Sequence, residues 1–391
     1  MKEQVKNISK YVLFTLLGAL FGSVITYLLL NNNTIISNTC NLNDKKLAPV
    51  YEAYNVIKNE YYKDIDDNTI INGMINGIML STDDKHTMFF NEEETKEFQT
   101  EIDGTYYGIG AVIYQLEDGD IAISRVFDNS PAKKFGLEVG DVIISIDGDA
   151  VHGKTSTEVS NILRSENKGT ATLLIKRENN ELTIEIEKSM VEIAYVSSQK
   201  LDNNIGYIAI SLFSATSDQQ FYNSLNKLYN EGIDSLIIDL RGNGGGYLST
   251  VTNIISMFVD EDTVIYQIKD RKKTQKYYAT NDYTLNYKVV ILVDEESASA
   301  SEIMASALKE QYNAILVGKT TYGKGTVQQT KLLSNNTLIK YTTEEWLTSK
   351  GESIHEKGIK PDYEIELGEE YKSNPIMEND MQLQKAIELL K

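Results

Sequence analysis

The hydrophobic pattern changes period several times along the chain. Tyr11 to Leu30 are uncharged and mostly apolar, about the length a helix needs to cross a bilayer. Residues 31–47 are rich in Asn, Thr and Ser, have little to bury, and read as a stalk. Helical spacing follows. Val50, Tyr54, Ile57 and Tyr61 share one face, and Ile70, Met74, Ile75, Ile78 and Met79 form a second stripe. After the polar run Ser81 to Thr87, Asn91 with Glu94 three positions on has the spacing of a capping box. From 103 to 189 short strands are predicted between the turns Gly108-Ile109-Gly110, Asp118-Gly119-Asp120 and Asp147-Gly148. Ser130-Pro131-Ala132 opens a short helix there, and Thr157 to Leu163 make another.

Beyond Ile193, apolar runs alternate with helical stretches. Ile205 to Leu212, Ser235 to Leu240, Val289 to Val293 and Ala314 to Val317 read as strands. Helices are predicted over Ser217 to Asn230, around Val251, Ile254, Ile255 and Phe258, and around Ile303, Met304, Ala307 and Leu308. The stretch from Val289 to Val317 is therefore a β-α-β unit, and the handedness of such crossovers makes its strands parallel. Strands near 326–333 and 337–347 close the pattern. The predicted fold class is α/β and mixed. The expected parts are a tip and anchor (1–30), a stalk (31–47), a helical segment (48–102), a small β-rich domain (103–189), an α/β core with a partly parallel sheet (190–370) and a helical tail (371–391).

The chain has 391 residues and a formal net charge of −19, which argues against nucleic acid as a partner, since that needs a basic face. Lys2, Lys6 and Lys10 precede the apolar segment and Asn31 to Asn33 follow it without charge, so the N-terminus is expected in the cytoplasm. The rest of the chain is then expected outside the cytoplasm, as in a single-pass bacterial-type membrane protein. No A-x-A-like site follows the segment, so it reads as an uncleaved anchor. Cys40 is the only cysteine and forms no intrachain disulfide. The paired stripes of 48–98 exceed what a lone hairpin would bury, and a dimerisation arm is expected there.

The candidate chemistry sits at the C-terminal ends of the parallel strands, where open α/β sheets place their sites. Ser297-Ala298-Ser299-Ala300-Ser301-Glu302 ends one strand and Thr320-Thr321-Tyr322-Gly323-Lys324-Gly325 follows another. A lysine whose pKa is lowered by burial can serve a serine nucleophile as base. Other readings are weaker. Arg241-Gly242-Asn243-Gly244-Gly245-Gly246 lacks the spacing of a dinucleotide fingerprint, and Gly325 stands where a P-loop needs Ser or Thr. Ser165 to Lys168 has an S-x-x-K spacing without its companion motifs. Asp83, Asp84 and His86 form a turn rather than a metal site, because no second histidine lies at ligand spacing. His86, His152 and His355 show no partner for a Ser-His-Asp triad.

SASASEI with TYGKGTVQQ resembles the catalytic core of the carboxyl-terminal processing peptidases, or tail-specific proteases. The resemblance implies a serine endopeptidase with Ser299 as nucleophile, Lys324 as base and Gln328 supporting Lys324. It also implies an oxyanion site at the N–H groups of Gly246 and Ala300, and no cofactor or metal. NSPAKKFGLEVGDVIISIDG is similar to a bacterial PDZ domain, which implies that Ile109, Gly110 and Ala111 receive a peptide carboxylate. The partners implied are protein or peptide substrates with free C-termini. The stretch at 83–90 resembles the segment that precedes the PDZ domain in that family, with Lys85 and Thr87 departing from its pattern and no bearing on catalysis expected. A PDZ scaffold with an inactive protease-like core is the alternative.

Overall fold

The computed structural model describes residues 45–164, 169–280 and 284–391. The expected anchor, most of the stalk, Cys40 and Ser165 to Lys168 lie outside the described residues. Among the described residues no helix is long and apolar enough to cross a membrane. The chain divides into two compact units, 1–75 and 76–391.

In the first unit, helix α1 (Ala48–Glu60) is followed by α2 (Asp67–Leu80), which runs on into the second. Asp67 joins the two helices, accepting from the Tyr54 hydroxyl at 2.9 Å and pairing with Lys58 at 2.8 Å. The apolar positions of α1 do not find a core. Val50, Tyr51, Val56 and Ile57 are all at least 40% exposed.

The second unit opens with β1 (Met88–Phe90) and α3 (Glu92–Asp103). The predicted capping box is present: Asn91 Oδ1 accepts from Glu94 N–H at 3.0 Å, and Glu94 accepts from Asn91 N–H at 2.8 Å. The β-rich domain then runs through β2 (Thr105–Gly108), β3 (Ala111–Gln115), β4 (Ile121–Val126), α4 (Pro131–Lys134), β5 (Val142–Ile146), β6 (Asp149–Ala150), α5 (Ser156–Leu163), β7 (Thr170–Arg177), β8 (Asn180–Glu187) and β9 (Ser189–Glu192). Its main sheet has the order β3-β4-β5-β7-β8, with β6 on β5, while β2 and β9 pair as its entry and exit. The period-two pattern fills its core, because Leu173 and Ile175 on β7 point inward with Ile121 and Ile123 on β4.

The core sheet follows. The chain there runs through β10 (Val196–Lys200), β11 (Ile205–Ile210), α6 (Ser217–Asn230), β12 (Ser235–Asp239), α7 (Leu248–Ser256), the hairpin β13 (Val264–Lys269) and β14 (Thr274–Tyr278), β15 (Lys288–Val293), α8 (Ala300–Tyr312) and β16 (Ile315–Gly318). The strands β17 (Thr326–Leu332), β18 (Leu338–Leu347) and β19 (Tyr363–Glu364) precede α9 (Glu369–Ser373) and α10 (Met381–Leu390). The order is β10-β11-β12-β15-β16-β19, parallel except for β10. Continuous apolar strands mark a sheet covered on both faces. Ile238 and Ile291 pack with α6, α7 and α8, whereas Ile237, Val290 and Leu292 pack with Leu383 and Ala386 of α10. The expected tail thus carries a helix that covers one face of this sheet. Arg241 ties it down, pairing with Asp239 at 2.6 Å and Asp380 at 2.8 Å. A second sheet, β1-β18-β13-β14 with β17 on β18, packs beside the first.

Candidate active site

Strands β12 and β15 are parallel neighbours in register, Asp239 opposite Leu292, so the turns that follow them lie side by side. Asn243, fully buried, stitches them together. Its side-chain amide donates to Ile210 O at 2.9 Å, its Oδ1 accepts from Gly245 N–H at 2.8 Å, and its carbonyl accepts from Ala298 N–H at 3.0 Å and Ser301 Oγ at 2.8 Å. The three serines of the run separate here. Ser297 and Ser301 are buried and spend their hydroxyls on backbone carbonyls, Ser297 on Leu240 O at 2.9 Å and Ser301 on Asn243 O. Ser299 is only partly buried and sits at φ 57°, ψ −114°, a region that non-glycine residues rarely occupy.

The glycine turn presses against that serine. A Cβ on Gly245 would lie 2.9 Å from Ser299 Cβ and 3.2 Å from Ala300 N, and one on Gly246 would lie 2.2 Å from Phe213 O. Only bare backbone at positive φ fits in either place. Among the described residues neither Gly246 N–H nor Ala300 N–H donates a hydrogen bond. Ala300 is the first residue of α8, where N–H groups have no partner inside the helix.

Lys324 reaches this edge from the loop before β17. Glu302 connects it to Ser299. This carboxylate is fully buried and accepts from Ser299 N–H at 2.9 Å and Lys324 N–H at 2.9 Å through Oε2, and from Gly323 N–H at 2.7 Å and Thr321 Oγ1 at 2.6 Å through Oε1. Burial raises its pKa, and the four donors oppose that without cancelling it. Trp346 fixes the loop from the other side, its indole N–H donating to Lys324 O at 2.7 Å. Burial pushes the Lys324 amine down to about 8, helped by Lys340 and opposed by Glu302 and Asp84. Its Nζ makes no hydrogen bond or ion pair among the described residues. Gln328 Nε2 is bonded to Thr326 Oγ1 at 2.9 Å and Thr342 Oγ1 at 3.2 Å, not to the lysine.

Glu302 and Asn243 were not singled out by the sequence reading. Glu302 had a signal, since Ser299-x-x-Glu302 has the same capping-box spacing recognised at Asn91. Asn243 had none beyond its place in a glycine-rich turn. Of the histidines, His152 does have a partner, Asp120 at 2.7 Å, on the surface of the β-rich domain. His86 lies near Lys324, and burial together with that charge lowers its pKa to about 4. Among the described residues no cluster of His, Cys, Asp and Glu could hold a metal.

In the β-rich domain, Ile109 and Gly110 have their carbonyls occupied, by Ala132 N–H at 2.7 Å and Phe127 N–H at 3.0 Å. Beside them the groove between β3 and α5 narrows to a pocket of about 20 Å³, lined by Tyr106, Ile109, Ala111, Ile113 and Leu163 among others. The Tyr106 hydroxyl faces Gly110 N–H, and Arg164 lies 4.9 Å from its ring. Tyr106 and Arg164 also line a cleft of about 880 Å³ bounded by α3.

A model described as peptidase family S41 matches residues 204–365, a PDZ-domain model matches 105–187, and a model of the activating protease CtpB N-terminal domain matches 28–95. The carboxy-terminal processing protease CtpA of Bacillus subtilis is 33% identical over 97% of this chain and 81% of its own length. CtpB of the same organism is 36% identical over 85% of this chain and 70% of its own. Among solved structures, a photosystem II D1 C-terminal processing protease is 25% identical, covering 78% of this chain and 84% of that one at a TM-score of 0.45.

Proposed function

The chain belongs to peptidase family S41, the carboxy-terminal processing proteases, and is a serine-type peptidase with a PDZ domain; from that premise we propose that it is an endopeptidase with a serine–lysine mechanism. Ser299 Oγ attacks the scissile carbonyl carbon while the neutral Lys324 amine takes its proton. The carbonyl oxygen, now an anion, is received by the N–H groups of Gly246 and Ala300. Breaking the C–N bond returns the proton from Lys324 to the leaving amine and leaves an acyl ester on Ser299. Water, deprotonated by Lys324, then hydrolyses the ester and restores both groups. Gln328 acts as support for the lysine, through the strand pair β17–β18 rather than by direct contact.

The observation that carries this reading is the single carboxylate, Glu302, that holds the backbones of Ser299 and Lys324 together while burial brings the lysine to about 8. The test is incubation of the full chain with a peptide ending in small apolar residues, as free acid and as amide, beside Ser299→Ala and Lys324→Ala. Cleavage of the free acid alone, lost in both variants, is expected. Cleavage that survives in either variant overturns the assignment.

The remaining parts complete the proposal. The PDZ domain takes the substrate's terminal carboxylate at Ile109, Gly110 and Ala111, with the peptide as an added strand on β3. Tyr11 to Leu30 anchor the chain with its catalytic part outside the cytoplasm, which protease accessibility on intact cells tests. The exposed apolar face of α1 supports a homodimer through the helical segment. Light scattering that finds only monomer at every concentration overturns that last point.

A further inference from the structure

The turn at 83–87, from which the sequence led us to expect no bearing on catalysis, reaches the lysine's surroundings. Asp84 Oδ2 accepts from Thr342 Oγ1 at 2.6 Å and from Thr87 Oγ1 at 2.7 Å, and its Oδ1 accepts from His86 N–H at 2.9 Å. Thr87 Oγ1 in turn accepts from Thr342 N–H at 3.2 Å. Burial opposes ionisation of Asp84, but the bonds from Thr342, His86 and Thr87 outweigh it and hold the carboxyl below its usual range.

One hydroxyl links this turn to the site. Because Thr342 gives its only hydroxyl hydrogen to Asp84, the oxygen is left as an acceptor, and Gln328 Nε2 donates to it at 3.2 Å. Gln328 and Thr342 are opposite each other across β17 and β18, beside a register shift at which Thr343 of β18 has no partner. We infer that Asp84 is a positioning residue of the catalytic base, acting through Thr342 and Gln328 on the loop that presents Lys324. The inference rests on the assignment of Lys324 as base.

Asp84 also adds charge. The groups that act on Lys324 are Asp84 from the turn, Glu302 from α8 and Lys340 from β18, with His86 neutral above its low pKa. Asp84 and Glu302 favour the ammonium; Lys340 and burial disfavour it. Removing the Asp84 charge therefore lets Lys324 lose its proton more readily.

The test is the pH dependence of kcat for the full chain on a quenched fluorescent peptide with a free C-terminus. Asp84→Asn is expected to lower the plateau by about tenfold, the scale of a small misplacement, and to move the acid limb to lower pH. In a Gln328→Ala background the same change should cost little more, because the relay is already cut. Thr342→Val should reproduce the plateau loss without moving the limb, and Thr342→Ser should restore it. Additive losses in Asp84→Asn with Gln328→Ala, or an unmoved limb with only a lower melting temperature, make Asp84 structural and overturn the inference. If Asp84→Asn fails to fold, the Thr342 pair decides by the same comparison. If Lys324→Ala keeps the wild-type limb, the base assignment has failed; if it abolishes activity and the Asp84 limb does not move, only this inference has.

Discussion

The backbone N–H groups of Ser299 and Lys324, 25 positions apart in the chain, donate to the same oxygen, Glu302 Oε2, each at 2.9 Å. Their relative position is thus set by one buried acceptor rather than by the two loops separately. Glu302→Gln keeps the shape but turns amide hydrogens toward some of the four donors. Leaving such groups unpaired in the interior costs about 1–3 kcal/mol each. The expected outcome is a loss of kcat of about a hundredfold with a lower melting temperature. Full activity in a stable Glu302→Gln protein would separate the carboxylate from catalysis.

The three serines should separate in a mutational series. Ser297→Ala and Ser301→Ala each remove a buried hydroxyl bonded to a backbone carbonyl, at a cost of about 1–2 kcal/mol, with cleavage largely kept. Ser299→Gly abolishes cleavage and, by relieving the positive φ, stabilises the fold by about 1 kcal/mol. Urea unfolding beside the peptide assay reads both quantities.

Lys324 links pH to activity and to stability in the same direction. Its pKa falls on folding from 10.5 to about 8, so the folded state binds this proton less well than the unfolded one. The stability it contributes is therefore fully present above 10.5 and is lost as pH falls through about 8. Activity rises through the same midpoint. Lys324→Met should raise the unfolding free energy at pH 7 by on the order of 2–3 kcal/mol, the advantage vanishing above the ordinary lysine range. Lys340→Gln removes a charge that lowers Lys324, so it moves the activity limb to higher pH, opposite in sign to Asp84→Asn. Limbs shifting the same way in both variants would contradict this electrostatic account.

Much of this organisation was legible because the signals are local. The apolar runs of β12 and β15 are buried on both faces, and Gly245 and Gly246 are required where bare backbone meets Ser299 and Phe213. The choice of Ser299 among three serines came from the family resemblance; chain pattern alone left it open. The role of Asp84 was not legible, since its partner Thr342 lies 258 positions away. The hairpin of β13 and β14 escaped notice because the alternation of β13 breaks where neighbouring Ile265 and Tyr266 are both buried, and β14 is exposed over most of its length. Residues 371–391 read as a tail because a ten-residue amphipathic helix shows an apolar stripe without saying what it covers.

What it covers sets a stability prediction. Asp380 is almost fully buried against Arg241, which also holds Asp239. Asp380→Ala removes one partner of a buried pair and the N-cap of α10, whose Leu383 N–H it accepts at 2.9 Å. Breaking such a pair costs about 3–5 kcal/mol. Removal of residues 380–391 should cost more, because it uncovers the sheet face around Val290 and Leu292. Urea denaturation showing a change below about 1 kcal/mol for Asp380→Ala would mean that the helix is dispensable to the core.

Tyr106 stands at the entrance to the PDZ groove. A peptide carboxylate bound by Ile109, Gly110 and Ala111 must use the Gly110 N–H that the Tyr106 hydroxyl faces. The terminal side chain must enter a pocket of only about 20 Å³, which Tyr106 helps to line. Binding therefore requires the Tyr106 ring to move, and a ligand's apparent affinity is reduced by the fraction of time that the ring is in place. Tyr106→Ala should tighten binding of a free-acid peptide, read by calorimetry, by about tenfold for each 1.4 kcal/mol that the displaced contacts were worth. Tyr106→Phe keeps the ring and loses the hydroxyl, so it should recover only the part owed to the Gly110 contact. The amide form of the peptide, lacking the carboxylate, should gain nothing from either change. Weaker binding of the acid by Tyr106→Ala would instead make Tyr106 part of the receptor surface.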